Sequence, residues 1–168
     1  MMLRLTALAG LAALLTVSAS AQQPQTQRVR GEIAGFSDRV LTVKAREGTT
    51  VTIKLADPVA VIGVTKADIA DIKPNSFVGI AALKGGDGKW LALEVLVFPE
   101  SARGSNEGHY PWDLQPESTM TNGTVATVTE AAQGRSLRIS YKGADQPIEI
   151  TVPATAPIVT FAAAARPT

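Results

Sequence analysis

Residues 31–55, GEIAGFSDRVLTVKAREGTTVTIKL, carry the pattern that decides the fold. Val51, Ile53 and Leu55 alternate with Thr52 and Lys54, the period-2 signature of a half-buried strand. Val40–Lys44 reads as a second strand, bounded by turns at Ser37-Asp38-Arg39 and Glu47-Gly48. Before them, Ile33 and Phe36 are interleaved with Gly31 and Gly35. Glycine inside a strand marks a bulge or a sharp bend.

The same pattern returns in the second half of the chain. Gly123-Thr124-Val125-Ala126 matches Gly31-Glu32-Ile33-Ala34, and Arg135–Ile139 matches Arg39–Val43. Ile148–Val152 matches Val51–Leu55, and Ile158-Val159 matches Val61-Ile62. Any two strands look alike, but four matches in one order point to duplication. After its third strand the first copy continues. Thr65 with Asp68 predicts a capped helical turn over Lys66–Ile72, which Lys73-Pro74-Asn75-Ser76 then breaks. Phe77–Leu83 and Trp90–Phe98 read as strands, and Gly85-Gly86-Asp87-Gly88 between them is a hairpin signal. Nothing in the second copy corresponds to that hairpin.

The expected fold is therefore all-β: two tandem small OB-like β-barrels, the second incomplete at the C-terminus. Residues 29–98 form the first barrel, 99–120 a linker with no regular period, and 121–168 the second, truncated barrel. On this reading the barrel around Leu41, Ile53 and Trp90 is ordered. The sheet around Ile139 and Ile150 is thinner and has an uncovered edge, which a partner strand or a second copy could pair.

The N-terminus reads as an export signal over residues 1–21. Arg4 is the positive charge, Leu5–Val17 the apolar run and Ala19-Ser20-Ala21 the cleavage site. Residues 22–28 form a polar, disordered-looking lead. Cleavage after Ala21 places the protein in the periplasm or outside the cell. With no cysteine the chain has neither disulfides nor a thioether lipid anchor. No second segment qualifies as a membrane span, because Leu91–Phe98 is strand-sized and interrupted by Glu94. Removing the signal takes away Arg4 and no acid, so 16 basic and 15 acidic residues become 15 and 15. A neutral mature chain lacks the basic excess of a nucleic-acid binder. Aromatics make up only 5% of the residues, so Val, Ile, Leu and Ala must fill any core.

Chemistry concentrates in Glu107-Gly108-His109-Tyr110-Pro111-Trp112-Asp113, which holds the only histidine, one of two Trp and one of two Tyr. Three roles compete for it. In the first, Tyr110, Pro111 and Trp112 pack the linker down. In the second, Tyr110 or Trp112 offers a face to a small ligand or glycan in a groove between the barrels that His109 also lines, with Asn106, Glu107 and Asp113 accepting hydrogen bonds. In the third, His109 with Glu107 and Asp113 captures a metal, although one imidazole with no thiolate is a poor transition-metal set. No nucleophile stands beside a base, so no catalytic residue is expected, and no cofactor.

Glu107–Asp113, the following Ser118-Thr119-Met120-Thr121-Asn122 and the flanking strand pattern make the chain resemble a group of secreted bacterial proteins. These are uncharacterised proteins built from tandem small β-barrels of a domain of unknown function. The resemblance covers most of the mature chain and implies two barrels without an established activity. Some of the group carry a metal-transporter permease label, yet a permease needs spanning helices and this chain has none beyond its signal. The reading that follows is an exported, non-catalytic binding or interaction module of the cell envelope. Its partner is an envelope protein or a small ligand. The alternatives are a periplasmic metal-handling protein anchored on His109, and an assembly protein that pairs through the open edge of its second repeat.

Overall fold

A computed structural model describes residues 26–162. The signal over residues 1–21, most of the lead segment after it and the last residues of the second repeat lie outside the described residues. The chain forms two compact units that divide between Val59 and Ala60.

The first unit holds strands β1 (Gly31–Ser37), β2 (Val40–Ala45) and β3 (Thr50–Lys54), paired antiparallel in that order. Cross-strand registers set Ile33 beside Val43 and Val51, and Phe36 beside Leu41 and Ile53. These six therefore share one face, and Thr42, Thr52 and Lys44 take the other, as period-2 alternation requires. The apolar face is unevenly covered. Val43 and Ala45 are buried, whereas Ile33 is 71% exposed and Phe36 63%. β1 is an edge strand of this sheet.

The second unit holds the barrel. Its strands are β4 (Val64–Lys66), β5 (Phe77–Lys84), β6 (Trp90–Val97), β7 (Gly108–Pro111), β8 (Thr119–Ala131), β9 (Gly134–Ser140), β10 (Ile148–Pro153) and β11 (Ile158–Phe161). β5 pairs antiparallel with β6 and β8, β8 with β9, and β9 with β10. A parallel step from β10 to β6, Ile150 beside Trp90, closes five strands into a ring. Further along β6, β11 takes up the parallel pairing at Val95–Val97, and β4 pairs with its outer side. The result is one closed, mixed, OB-like barrel with extra strands. Its core is aliphatic, as scarce aromatics demand: Val78, Ile80, Val95, Leu137, Ile139, Ile150 and Val152 are all fully buried. The expected helical turn is present as a 3-10 turn at Ile69–Asp71. Its cap is Asp68, paired with Asp71 in a capping box, rather than Thr65.

The duplication is visible in the geometry. β8 and β9 set Val125 beside Ile139, as β1 and β2 set Ile33 beside Val43. The ladder slips at the equivalent place in each pair, between Ile33 and Gly35 and between Val125 and Thr127. Gly31 and Gly123 answer one need, since a Cβ on either would overlap a backbone carbonyl of the next strand, Lys44 or Ser140.

Two expectations are corrected. The hairpin over Phe77–Phe98 was assigned to the barrel of residues 29–98, but its β5 edge pairs with β8, Phe77 beside Thr124 and Ala82 beside Thr119. The hairpin thus completes strands of the second repeat. Ile139 and Ile150 lie in a closed core, and the open sheet is the three-stranded one of the first unit, with β1 and β3 at its edges. A second closed barrel is not found among the described residues. The linker over 99–120 also has more structure than its irregular sequence suggests. It contains a 3-10 turn at Glu100–Ala102, the strand β7 and the start of β8.

Candidate functional site

The linker is held to the barrel by three attachments. At its start, Arg103 donates to the Asn75 carbonyl at 2.7 Å and to Glu100 at 2.8 Å, and its guanidinium lies 5.9 Å from the Phe77 ring centre. Next, β7 pairs antiparallel with the first residues of β8, Gly108 beside Asn122 and Pro111 beside Thr119. That segment of β8 therefore lies between β5 and β7, and its later residues pair with β9. Proline is tolerated at Pro111 because it ends a short outer strand. The third attachment is Asn122. Its buried side-chain amide donates to the carbonyls of Ser105 and Asn106 and to the Tyr110 hydroxyl, each at 3.1 Å. Gly79 makes room for it, because a Cβ there would stand 2.6 Å from Asn122 Oδ1.

Strand alternation divides the candidate residues. His109 and Tyr110 are neighbours on β7 and so project to opposite sides. Tyr110 packs edge-on to Trp112, with ring centres 6.1 Å apart. His109 instead meets Trp90 edge-on at 5.2 Å and stacks on Tyr141 at 5.9 Å. Glu107 and Asp113 are exposed at either end of the strand. Among the described residues no three His, Cys, Asp or Glu side chains stand together as a group that could hold a metal ion. The set of His109, Glu107 and Asp113 therefore lacks the geometry its chemistry needs. What the sequence reading missed is the pair of partners for His109. Trp90 opens a strand and Tyr141 follows one, and neither is near His109 in sequence.

His109 Nδ1 lies 2.8 Å from the hydroxyl of the fully buried Thr121, a contact that ties β7 to β8. Burial lowers the pKa of His109 below its ordinary value. The unfolded chain takes up this proton near pH 6.5 and the folded chain only at lower pH, so stability falls as pH drops through that window. His109→Phe keeps a ring against Trp90 and Tyr141 and does not titrate. Urea unfolding at pH 7.5 and pH 5 is expected to show a smaller acid loss in His109→Phe than in the parent. Equal losses would place the acid sensitivity elsewhere.

The outer face of the barrel on β9 and β10 carries Ser136, Arg138, Ser140, Glu149 and Thr151. Ser136 donates to Glu149 at 2.7 Å, and Arg138 is directly opposite Glu149. No helix among the described residues is long and apolar enough to cross a membrane. No family model, curated protein or solved structure matches the chain.

Proposed function

We propose that the protein is an exported, non-catalytic interaction module of the cell envelope, and that it engages a protein partner through the β1 side of its first unit. The observation that carries this reading is the apolar face of the three-stranded sheet. Ile33 and Phe36 sit exposed beside an edge strand, where unpaired backbone groups are available for pairing. Burying one such side chain fully contributes about 1.5–3 kcal/mol, so leaving both in water is a cost that a partner would remove. Export rests on Arg4, the apolar run over Leu5–Val17 and Ala19-Ser20-Ala21.

This reading keeps the assembly alternative and moves its edge from the second repeat to the first. The metal-handling alternative has no support from the arrangement around His109. The small-ligand reading of the linker is weakened by the separation of His109 from Tyr110 and Trp112.

A photoreactive phenylalanine analogue placed at Phe36 in the exporting cell tests the proposal. A discrete adduct is expected at Phe36, and none at the control position Glu149 on the barrel face. No adduct at Phe36 or at Ile33, or the same adduct at Glu149, would count against it.

A further inference from the structure

We infer that the three-stranded sheet β1–β3 is an acceptor for a β-hairpin donated by a different polypeptide, one that closes it as β5–β6 closes β8–β10. The inference rests on the interaction reading above and names the partner by its shape and chemistry.

Three observations carry it. The first is the equivalence of the two acceptors. Ile33, Val43 and Val51 stand in one cross-strand row, as Val125, Ile139 and Ile148 do. Phe36, Leu41 and Ile53 form the next row, as Val128, Leu137 and Ile150 do. The slip in the ladder and the glycine one strand-turn before it are also shared.

The second observation is what closure does to equivalent residues. Val125 is 1% exposed in the closed barrel, and its counterpart Ile33 is 71% exposed. Val128 is half-buried against the barrel core, and its counterpart Phe36 is 63% exposed. Both exposed residues lie on the face that a hairpin would cover.

The third is the character of the closing strand. β5 is apolar on both faces, with Phe77–Ala82 all buried, and it reaches β8 through an antiparallel ladder that includes Gly123 beside Val78. Gly31 stands on β1 where Gly123 stands on β8, so an incoming strand of the same kind meets the same backbone profile. This is β-strand addition, with main-chain pairing for affinity and alternate apolar side chains for specificity.

Stoichiometry decides against a second copy as donor. Among the described residues each chain has one such hairpin and two acceptors, so exchange between copies always leaves one acceptor open. The donor is therefore a different chain that offers an apolar hairpin to spare.

The test uses the full mature chain and, as probe, a synthetic peptide of residues 75–99 with a solubilising lysine tail. Calorimetry is expected to give saturable binding of one peptide per chain at or below about 100 μM, a weak specific affinity. Amide exchange over residues 27–32, the counterparts of Thr119–Thr124 that pair with β5, is expected to slow by about tenfold or more, as for newly paired backbone. Both effects are expected to vanish in Ile33→Glu/Phe36→Glu, whose changes sit at exposed positions, and to persist in Thr52→Glu on the polar face. No saturable binding overturns the inference, as do binding that the double substitution leaves unchanged and protection confined to β8. The chain alone is expected to sediment as a monomer. A concentration-dependent dimer abolished by Phe36→Glu would assign the surface to a second copy and overturn the choice of donor. A peptide that fails while the Phe36 photo-adduct persists removes the hairpin and leaves the interaction reading standing.

Discussion

Leu137→Ala is expected to destabilise the protein by about 2–5 kcal/mol, the range for truncating a fully buried leucine. Leu41→Ala, at the equivalent place in the first copy, is expected to cost about 1 kcal/mol or less, because that face is only partly covered. Leu137 is 0% exposed and stands between Val128 on β8 and Ile150 on β10. Removing its isopropyl group leaves a cavity that the closed ring cannot collapse around. Leu41 stands between Phe36, itself largely exposed, and Ile53, so the sheet can relax and solvent can fill the gap. Chemical denaturation of the two variants gives the comparison. Similar losses, or a larger loss at Leu41, would mean that the first copy is the closed one.

That asymmetry is where the sequence stops being informative, and the reason is physical. The repeat itself was legible because the same small set of residues does the same work twice. Gly31 and Gly123 make room for a neighbouring carbonyl, and Ile33, Val43 and Val51 answer to Val125, Ile139 and Ile148. The hairpin was legible because Gly85-Gly86-Asp87-Gly88 separates two apolar runs. The destination of the hairpin was not. A continuous apolar run marks β5 as a strand buried on both faces, but it carries no record of which edge it joins. Two acceptors with matching residues offer it matching edges. Adjacency along the chain favoured the first copy, and the structure uses the second.

The linker shows the same limit on a smaller scale. Its aromatics marked it as a docked segment, and it is docked. Four residues from Gly108 to Pro111 form a strand only because β8 extends past β9 and leaves an edge for them, a tertiary cause invisible in a short window. Once β7 is a strand, alternation sends His109 one way and Tyr110 the other. Read as a patternless loop, the segment gives no sign that the two rings face different ways.

Asn122→Ala is expected to produce the second large effect, a loss of about 2–3 kcal/mol, together with release of the linker. The Asn122 amide is buried, and its two N–H protons are shared among the Ser105 and Asn106 carbonyls and the Tyr110 hydroxyl. Truncation removes these hydrogen bonds, each contributing about 0.5–1.5 kcal/mol net. It also opens a void beside Gly79, where Asn122 Oδ1 now sits. Proteolysis and amide exchange are expected to show faster opening of residues 104–112 in the variant, with β9 and β10 unchanged. Because Tyr110 and Trp112 are anchored through this contact, Trp112 emission is expected to shift toward the solvated wavelength. A variant as stable as the parent, with the linker still protected, would show that β7 pairing alone holds the segment.

The central claim is that the hairpin over Phe77–Val97 closes the second repeat and leaves the first as an open three-stranded sheet. Its most direct test is the set of inter-strand nuclear Overhauser contacts made by β5 in the full chain. Contacts from Gly79 and Ile80 to Asn122 and Thr121 are expected, from the register of β5 on β8. Contacts from the same β5 residues to Val29 and Arg30, with none to Thr121 and Asn122, would contradict the account.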